Sequence, residues 1–381
     1  MKQMSFNIID YISMRGDLSF EQSDFNSVDA LILSQIAYNN LEGLVSDSFN
    51  KKITLQELSE AFINTKDYET RCNMGAMINP LTPELLRLAA ESRRFAKVKV
   101  CAFINKIDEA AIEQFSAITY QIQKERYVVA LRGTDDTIAG WYEDFNLGYM
   151  DEVPAQKDTR DYVCKAMASL KGSFIITGHS KGGNLSVKGG MSVPSKSLKR
   201  LEAVYNFDGP GFFAPVYARP EYMRIRDRVF SYFPQYCVVG MMFEHTEKYK
   251  IVASSADRIL QHDPFTWNVL GPEFETEDEF DEASEIFYTS FNAWAKKMTP
   301  EERKKFIDSF FSVIYASGAK TNYEIDQNKI VCGGKMLAKL AELSEAERKA
   351  FKRAIKVFIK VVKDEIPMFS VLKPLLISHG Q

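Results

Sequence analysis

The sequence predicts an α/β layer architecture with an added, mainly helical C-terminal region. Short apolar runs alternate with helical or small-residue stretches between residues 115 and 255, helical spacing precedes them, and two capping-box patterns follow residue 272. In order, DALILSQIAY (29–38) and PELLRLAAESRRF (83–95) carry apolar residues at helical spacing, the second opened by Thr82 before Pro83 and Glu84. FSAITYQI (115–122) and RYVVALRG (126–133), joined by QKE, read as an antiparallel hairpin leading into a buried strand. SFIITG (173–178) then ends in glycine before the small-residue stretch GGNLSVKGG (182–190), followed by LEAVYNFDGPG (201–211), RVFSYF (228–233) and YKIVASS (249–255). This alternation of strand and helix is the pattern of a parallel sheet. An acidic block, 273–285, reads as a solvated loop or helix start, and Thr299/Glu302 and Ser344/Glu347 open helices. The chain therefore divides into a core, 1–272, with a helical N-terminal segment, and a helical extension, 273–381, expected to pack on it.

The 381 residues hold 48 Lys+Arg against 51 Asp+Glu, a net charge of −3 that argues against nucleic acid as a partner. With 45% hydrophobic and 12% aromatic residues the chain can cover the entropy cost of folding. Cys72, Cys101, Cys164, Cys237 and Cys332 are scattered and never form a C-x-x-C pair, which fits reduced thiols better than disulfides or a zinc site. Asp10 and Arg15 interrupt any signal-like apolar run, and no stretch reaches a membrane span, so the expectation is a cytoplasmic protein. Histidine is scarce, at His179, His245, His262 and His379.

Gly178-His179-Ser180-Lys181-Gly182 fits G-x-S-x-G between an apolar strand and a helix rich in small residues. Such a turn holds a serine in a strained conformation that small neighbours permit, and the helix that follows aims its first amides at the site. An oxyanion forming beside Ser180 would then meet the backbone N–H of Lys181. The other reading is a passive serine in a glycine-rich turn, at most holding a phosphate.

Arg132-Gly133-Thr134 closes the strand YVVAL, with Trp141 and Asp144 following in DDTIAGWYEDF. Here the sequence resembles the class 3 lipases, whose strand ends in Arg-Gly-Thr/Ser before a Trp and an Asp, and whose serine sits in Gly-His-Ser-x-Gly-Gly. More closely, it resembles a bacterial family of α/β-hydrolases related to those lipases. The likeness rests on DYISMRGDLSF with FNSVDALILSQIAY, on GHSKGGNL, on NFDGPGF and on QHDPFTW, and spans roughly residues 5 to 270. It implies a three-layer α/β-hydrolase-like sheet with helices on both faces. It also makes Ser180 the nucleophile and Thr134 an oxyanion-hole residue through its amide or hydroxyl. The base must then follow the serine. His262, in the polar break Gln261-His262-Asp263-Pro264, is the first choice and His245 the reserve, while His179 packs under the turn. In lipases the acid follows the strand corresponding to RVFSYF, but Pro234-Gln235-Tyr236-Cys237 holds no carboxylate. Asp208, one strand earlier, is the substitute; Asp257 and a dyad without an acid remain open.

The implied activity is hydrolysis of a carboxylic ester of acyl or lipid type, with no metal or organic cofactor. A non-catalytic binding or regulatory protein of the same fold and an acyl transferase are the alternatives. The Lys181 charge is expected in solvent, with an anionic acyl donor as the other possibility. Asp135–Asn146 suggests a lid by position alone. The basic amphipathic stretch Ser344–Val362 could touch an anionic membrane surface, although such helices more often bury their apolar face on their own domain.

Overall fold

The structure is a computed structural model and describes residues 5–349 and 351. Its strands are β1 (Ile53–Thr54), β2 (Lys99–Asp108), β3 (Glu113–Gln123), β4 (Arg126–Leu131), β5 (Ser173–His179), β6 (Leu201–Phe207), β7 (Val229–Pro234), β8 (Tyr249–Val252), β9 (Val269–Leu270), β10 (Glu273–Phe274) and β11 (Thr276–Glu277). Nine of them form one sheet in the order β1-β2-β3-β4-β5-β6-β7-β8-β11. Neighbours from β4 to β8 are parallel, and the pairs on either side are antiparallel.

The parallel strands run in sequence order, and right-handed crossovers between successive strands all fall on one side of a sheet. Helices Pro154–Ser169 and Lys181–Ser192 occupy that side, over a core that includes Val129, Ile176 and Val204. The other face needs a separate cover. Helices Ile8–Arg15, Ser27–Ile36 and Thr82–Glu91 supply it and share a core with Val128, Ile175 and Ala203. The fold is thus the three-layer α/β-hydrolase-like arrangement, with a helical C-terminal region.

Helix Ser27–Ile36 is buried on every side, its polar Asp29, Ser34 and Gln35 included, and Asn26 caps it by accepting from the amides of Val28 and Asp29. Ser34 Oγ lies 2.9 Å from Thr177 Oγ1, tying this helix to the end of β5. The 115–133 hairpin forms as β3 and β4. In β2 a bulge between Cys101 and Ile104, with Ala102 at φ 55°, breaks the period-two pattern.

Residue 272 lies in the turn between the paired β9 and β10, and β11 closes the sheet beyond it. The central sheet therefore runs to Glu277. Helix Pro300–Tyr315 begins at the Thr299/Glu302 capping box and packs on helix Ile138–Asn146, where the Tyr142 and Phe311 rings stack 4.3 Å apart and Tyr142 donates to Asp308 Oδ1 at 2.7 Å. Asp136 accepts from the amides of Ala76 and Tyr323, joining three distant parts of the chain. These contacts tie Asp135–Asn146 to the C-terminal helices. Of Ser344–Val362, only residues 344–349 and Phe351 are among those described, so the membrane-facing reading lies outside them. Among the described residues no helix is long and apolar enough to cross a membrane.

Candidate active site

Ser180 stands between β5 and helix Lys181–Ser192 with φ 59° and ψ −132°, a left-handed conformation that costs a residue bearing a Cβ. The glycines around it are sterically required. A Cβ on Gly178 would lie 2.1 Å from the Gly182 carbonyl oxygen, and one on Gly182 would lie 2.1 Å from that of Leu131. Ser180 N–H donates to Phe207 O at 2.9 Å, fixing the turn to the end of β6.

That tie brings the next residue of β6's loop into range. Ser180 Oγ is 3.0 Å from His262 Nε2, and His262 Nδ1 is 2.5 Å from Asp208 Oδ2. His262 ends the short helical turn Arg258–His262 after β8, and Asp208 is fully buried at φ 48° directly after β6. The second Asp208 oxygen accepts from Cys237 Sγ at 3.0 Å and from Gly240 N at 3.1 Å. The turn after β7, which lacks a carboxylate, thus supplies a donor to the carboxylate of the preceding strand. His262 thus has a carboxylate beside its Nδ1. Asp257 is exposed.

His245 is otherwise engaged. Its Nδ1 lies 2.8 Å from Glu247 Oε1 and its Nε2 lies 2.6 Å from Gly240 O. Burial alone would raise the Glu247 carboxyl, but the bond and charge of His245, helped by the Ser231 bond, bring it down to about 2. His379 lies outside the described residues.

His179 does more than pack. Its Nε2 is 2.9 Å from the His262 carbonyl oxygen, which can only accept, so Nε2 carries the hydrogen. Burial, together with the neighbouring His262, holds the His179 imidazole well below its ordinary range. A neutral ring thereby anchors the backbone of His262.

The Arg132-Gly133-Thr134 turn lies against the elbow, where a Cβ on Gly133 would come within 3.1 Å of Ser180 Cβ. Thr134 Oγ1 donates to Asp144 Oδ2 at 2.5 Å, so its hydroxyl hydrogen is engaged by that carboxylate. The backbone N–H groups of Thr134 and Lys181 have no acceptor among the described residues. Burial pushes the Asp144 carboxyl up to about 7, with Lys181, 3.9 Å away, and Thr134 pulling it back.

The Lys181 side chain is not in solvent, contrary to expectation, and does not line the cavity beside Ser180. Only 1% exposed, its Nζ reaches Glu143 Oε2 at 2.9 Å, Gln114 O at 2.8 Å and Gln114 Oε1 at 2.7 Å. Glu143 in turn accepts from the amides of Gln114 and Ala155. A buried cation with every hydrogen paired is compatible with a dry interior, and here it pins the first turn of the helix to β3.

A cavity of about 400 Å³ opens onto Ser180 and His262, within the size range of small-ligand sites. Its walls are largely apolar and include Met77, Trp141, Phe145, Phe243 and Ile307.

The Mbeg1-like family model matches residues 89–312, more than half of the chain. The chain belongs to the Mbeg1-like family. The matched span of this Mbeg1-like chain takes in Ser180, Asp208, His262 and the Arg132–Thr134 turn. Among solved structures it is similar to one described as the crystal structure of M37 lipase, at 15% identity over 56% of this chain and 68% of that one, with a TM-score of 0.36. No curated protein matches.

Three residues of the Mbeg1-like site were not legible from motifs. Cys237 carried no signal, because a lone cysteine in an apolar run reads as core. Glu143 lay beside the motif residue Asp144, and only helical geometry turns the two to different partners. Tyr38 lies just past helix Ser27–Ile36, where it reads as core, yet its hydroxyl lies 3.3 Å from the His179 carbonyl oxygen and the residue lines the cavity. Among the described residues no group of three or more His, Cys, Asp or Glu could hold a metal ion.

Proposed function

We propose that this protein is a serine hydrolase that cleaves a carboxylic ester of acyl or lipid type through an acyl-enzyme on Ser180. The observation that carries the reading is the unbroken chain Asp208–His262–Ser180, at 2.5 and 3.0 Å, beside an apolar cavity. His262 takes the serine proton as Ser180 Oγ attacks the carbonyl, and Asp208 holds the Nδ1–H tautomer and stabilises the imidazolium. The free amides of Thr134 and Lys181 receive the oxyanion. His262 returns the proton to the leaving alcohol, then activates the water that releases the acid. Apolar walls suit an acyl chain.

A fluorophosphonate probe tests the nucleophile: it should label the wild type and not Ser180→Ala. Absence of wild-type labelling would favour a non-catalytic binding protein. Hydrolysis of p-nitrophenyl esters of graded chain length then reads the acyl preference, and full activity in His262→Ala would remove the assigned base.

A further inference from the structure

The cavity beside Ser180 carries a cation with no carboxylate partner. Arg303, on helix Pro300–Tyr315, lines it together with Phe306 and Ile307, and no salt bridge to Arg303 is found among the described residues. Arg303 Nη1 donates to the carbonyls of Ala295 and Met298, at the C-terminal end of helix Glu282–Lys297, and the guanidinium lies 4.8 Å from the Phe213 ring centroid. Carbonyl and ring contacts hold the side chain in place without neutralising it. Its Nε–H is buried and has no acceptor among the described residues. Trp141 Nε1, on the facing helix Ile138–Asn146 and also lining the cavity, is in the same state.

The two carboxylates of the lining have other neighbours: Asp144 Oδ2 accepts from Thr134 and its buried Oδ1 lies 3.9 Å from Lys181 Nζ, while Asp263 Oδ2 accepts from Asn79. An otherwise apolar chamber thus holds reacting groups, greasy walls and, in its lining, a guanidinium with no carboxylate partner among the described residues. A partly buried cation without a counter-ion costs free energy, so the arrangement asks for an anion that arrives with the ligand.

We propose that the cavity takes an anionic amphiphile, an acyl ester bearing a carboxylate or phosphate separated from the scissile carbonyl by an apolar stretch, with its anion paired to Arg303. The inference rests on the hydrolase reading for its chemistry but not for its binding. The anion can belong to the acyl chain or to the alcohol.

Two matched comparisons distinguish these sources. One sets p-nitrophenyl hemi-esters of linear dicarboxylic acids against their ω-methyl-ester counterparts; the other sets acyl esters of a phosphorylated alcohol against those of the free alcohol. In at least one arm the wild type should favour the anionic member in kcat/KM by about tenfold, as expected for a hydrogen bond between charged groups. That ratio should fall towards one in Arg303→Met and be partly kept in Arg303→Lys, whereas a purely structural arginine would lower both members of a pair together. The same pairs titrated into Ser180→Ala, by calorimetry, read binding without turnover. If the wild type and Ser180→Ala prefer the neutral member or neither in both arms, the inference fails while probe labelling of Ser180 still stands. If the probe fails but Ser180→Ala binds the anionic member more tightly, the hydrolase reading fails and the anion site stands.

Discussion

Cys237 donates its thiol hydrogen to Asp208, with Sγ 3.0 Å from Oδ1, on the side of the carboxylate opposite His262. Burial, with the Asp208 charge beside it, raises the thiol well above its ordinary range, so it stays protonated and remains a donor. A donor on Oδ1 spreads the negative charge that would otherwise concentrate towards the imidazole. Removing it should stabilise the His262 imidazolium and shift the acid limb of the kcat/KM pH profile upward. Cys237→Ala is expected to move that limb by about half a unit to one unit, since one net hydrogen bond is worth roughly 0.5–1.5 kcal/mol. Cys237→Ser, which can still donate, should leave it near the wild-type position. Identical profiles for all three would deny the thiol this role.

Asp208 also permits a clean test of the acid. It sits at φ 48°, a region asparagine tolerates better than most residues. Asp208→Asn should therefore fold, while presenting an amide that can hold the wrong imidazole tautomer. The expected loss in kcat is on the order of ten-thousandfold, with a melting temperature close to that of the wild type. A variant that unfolds, or one that keeps its rate, would count against the assignment in different ways, and thermal denaturation beside the ester assay separates them.

The buried pair Lys181–Glu143 makes a prediction about stability. Lys181→Met leaves the Glu143 carboxylate buried with only the amides of Gln114 and Ala155 as donors, and should cost about 3–5 kcal/mol. Adding Glu143→Gln removes the uncompensated charge while retaining an oxygen acceptor, so the double variant should regain part of the loss. Urea unfolding of the wild type, the single variant and the double variant measures the difference. Additive losses would mean that the two groups do not depend on each other.

The parallel core and the elbow were readable because their signals are local: β5 is a short apolar run, and Gly178 and Gly182 are glycines for steric reasons within a few ångströms. Asp208 and His262 were found through resemblance and chain order, and their meeting at Ser180 depends on β6, β7 and β8 lying side by side. Lys181 misled because a lysine in sequence carries no mark of its partner. Glu143 is 38 residues away and Gln114 is 67 away, and only the docking of helix Ile138–Asn146 on β3 brings them together. The helix that covers Ile138–Asn146, Pro300–Tyr315, likewise arrives from the far end of the chain.

Asp144 supplies the pH test. Its carboxyl is raised from the ordinary aspartate value of 3.8 to about 7, chiefly by burial. Between those values the folded state binds more protons than the unfolded chain, so the stability contributed by protonation is greatest in acid and is lost as pH rises towards 7. Above about pH 7 both states are ionised and the contribution is flat. Asp144→Asn keeps an oxygen that can accept from Thr134 but does not titrate. Urea midpoints of the wild type minus those of Asp144→Asn should accordingly fall between about pH 4 and pH 7. A difference that stays constant, or that rises with pH, would place the Asp144 ionisation at the ordinary aspartate value or below. In that case the Lys181 charge, 3.9 Å away, outweighs burial at this position.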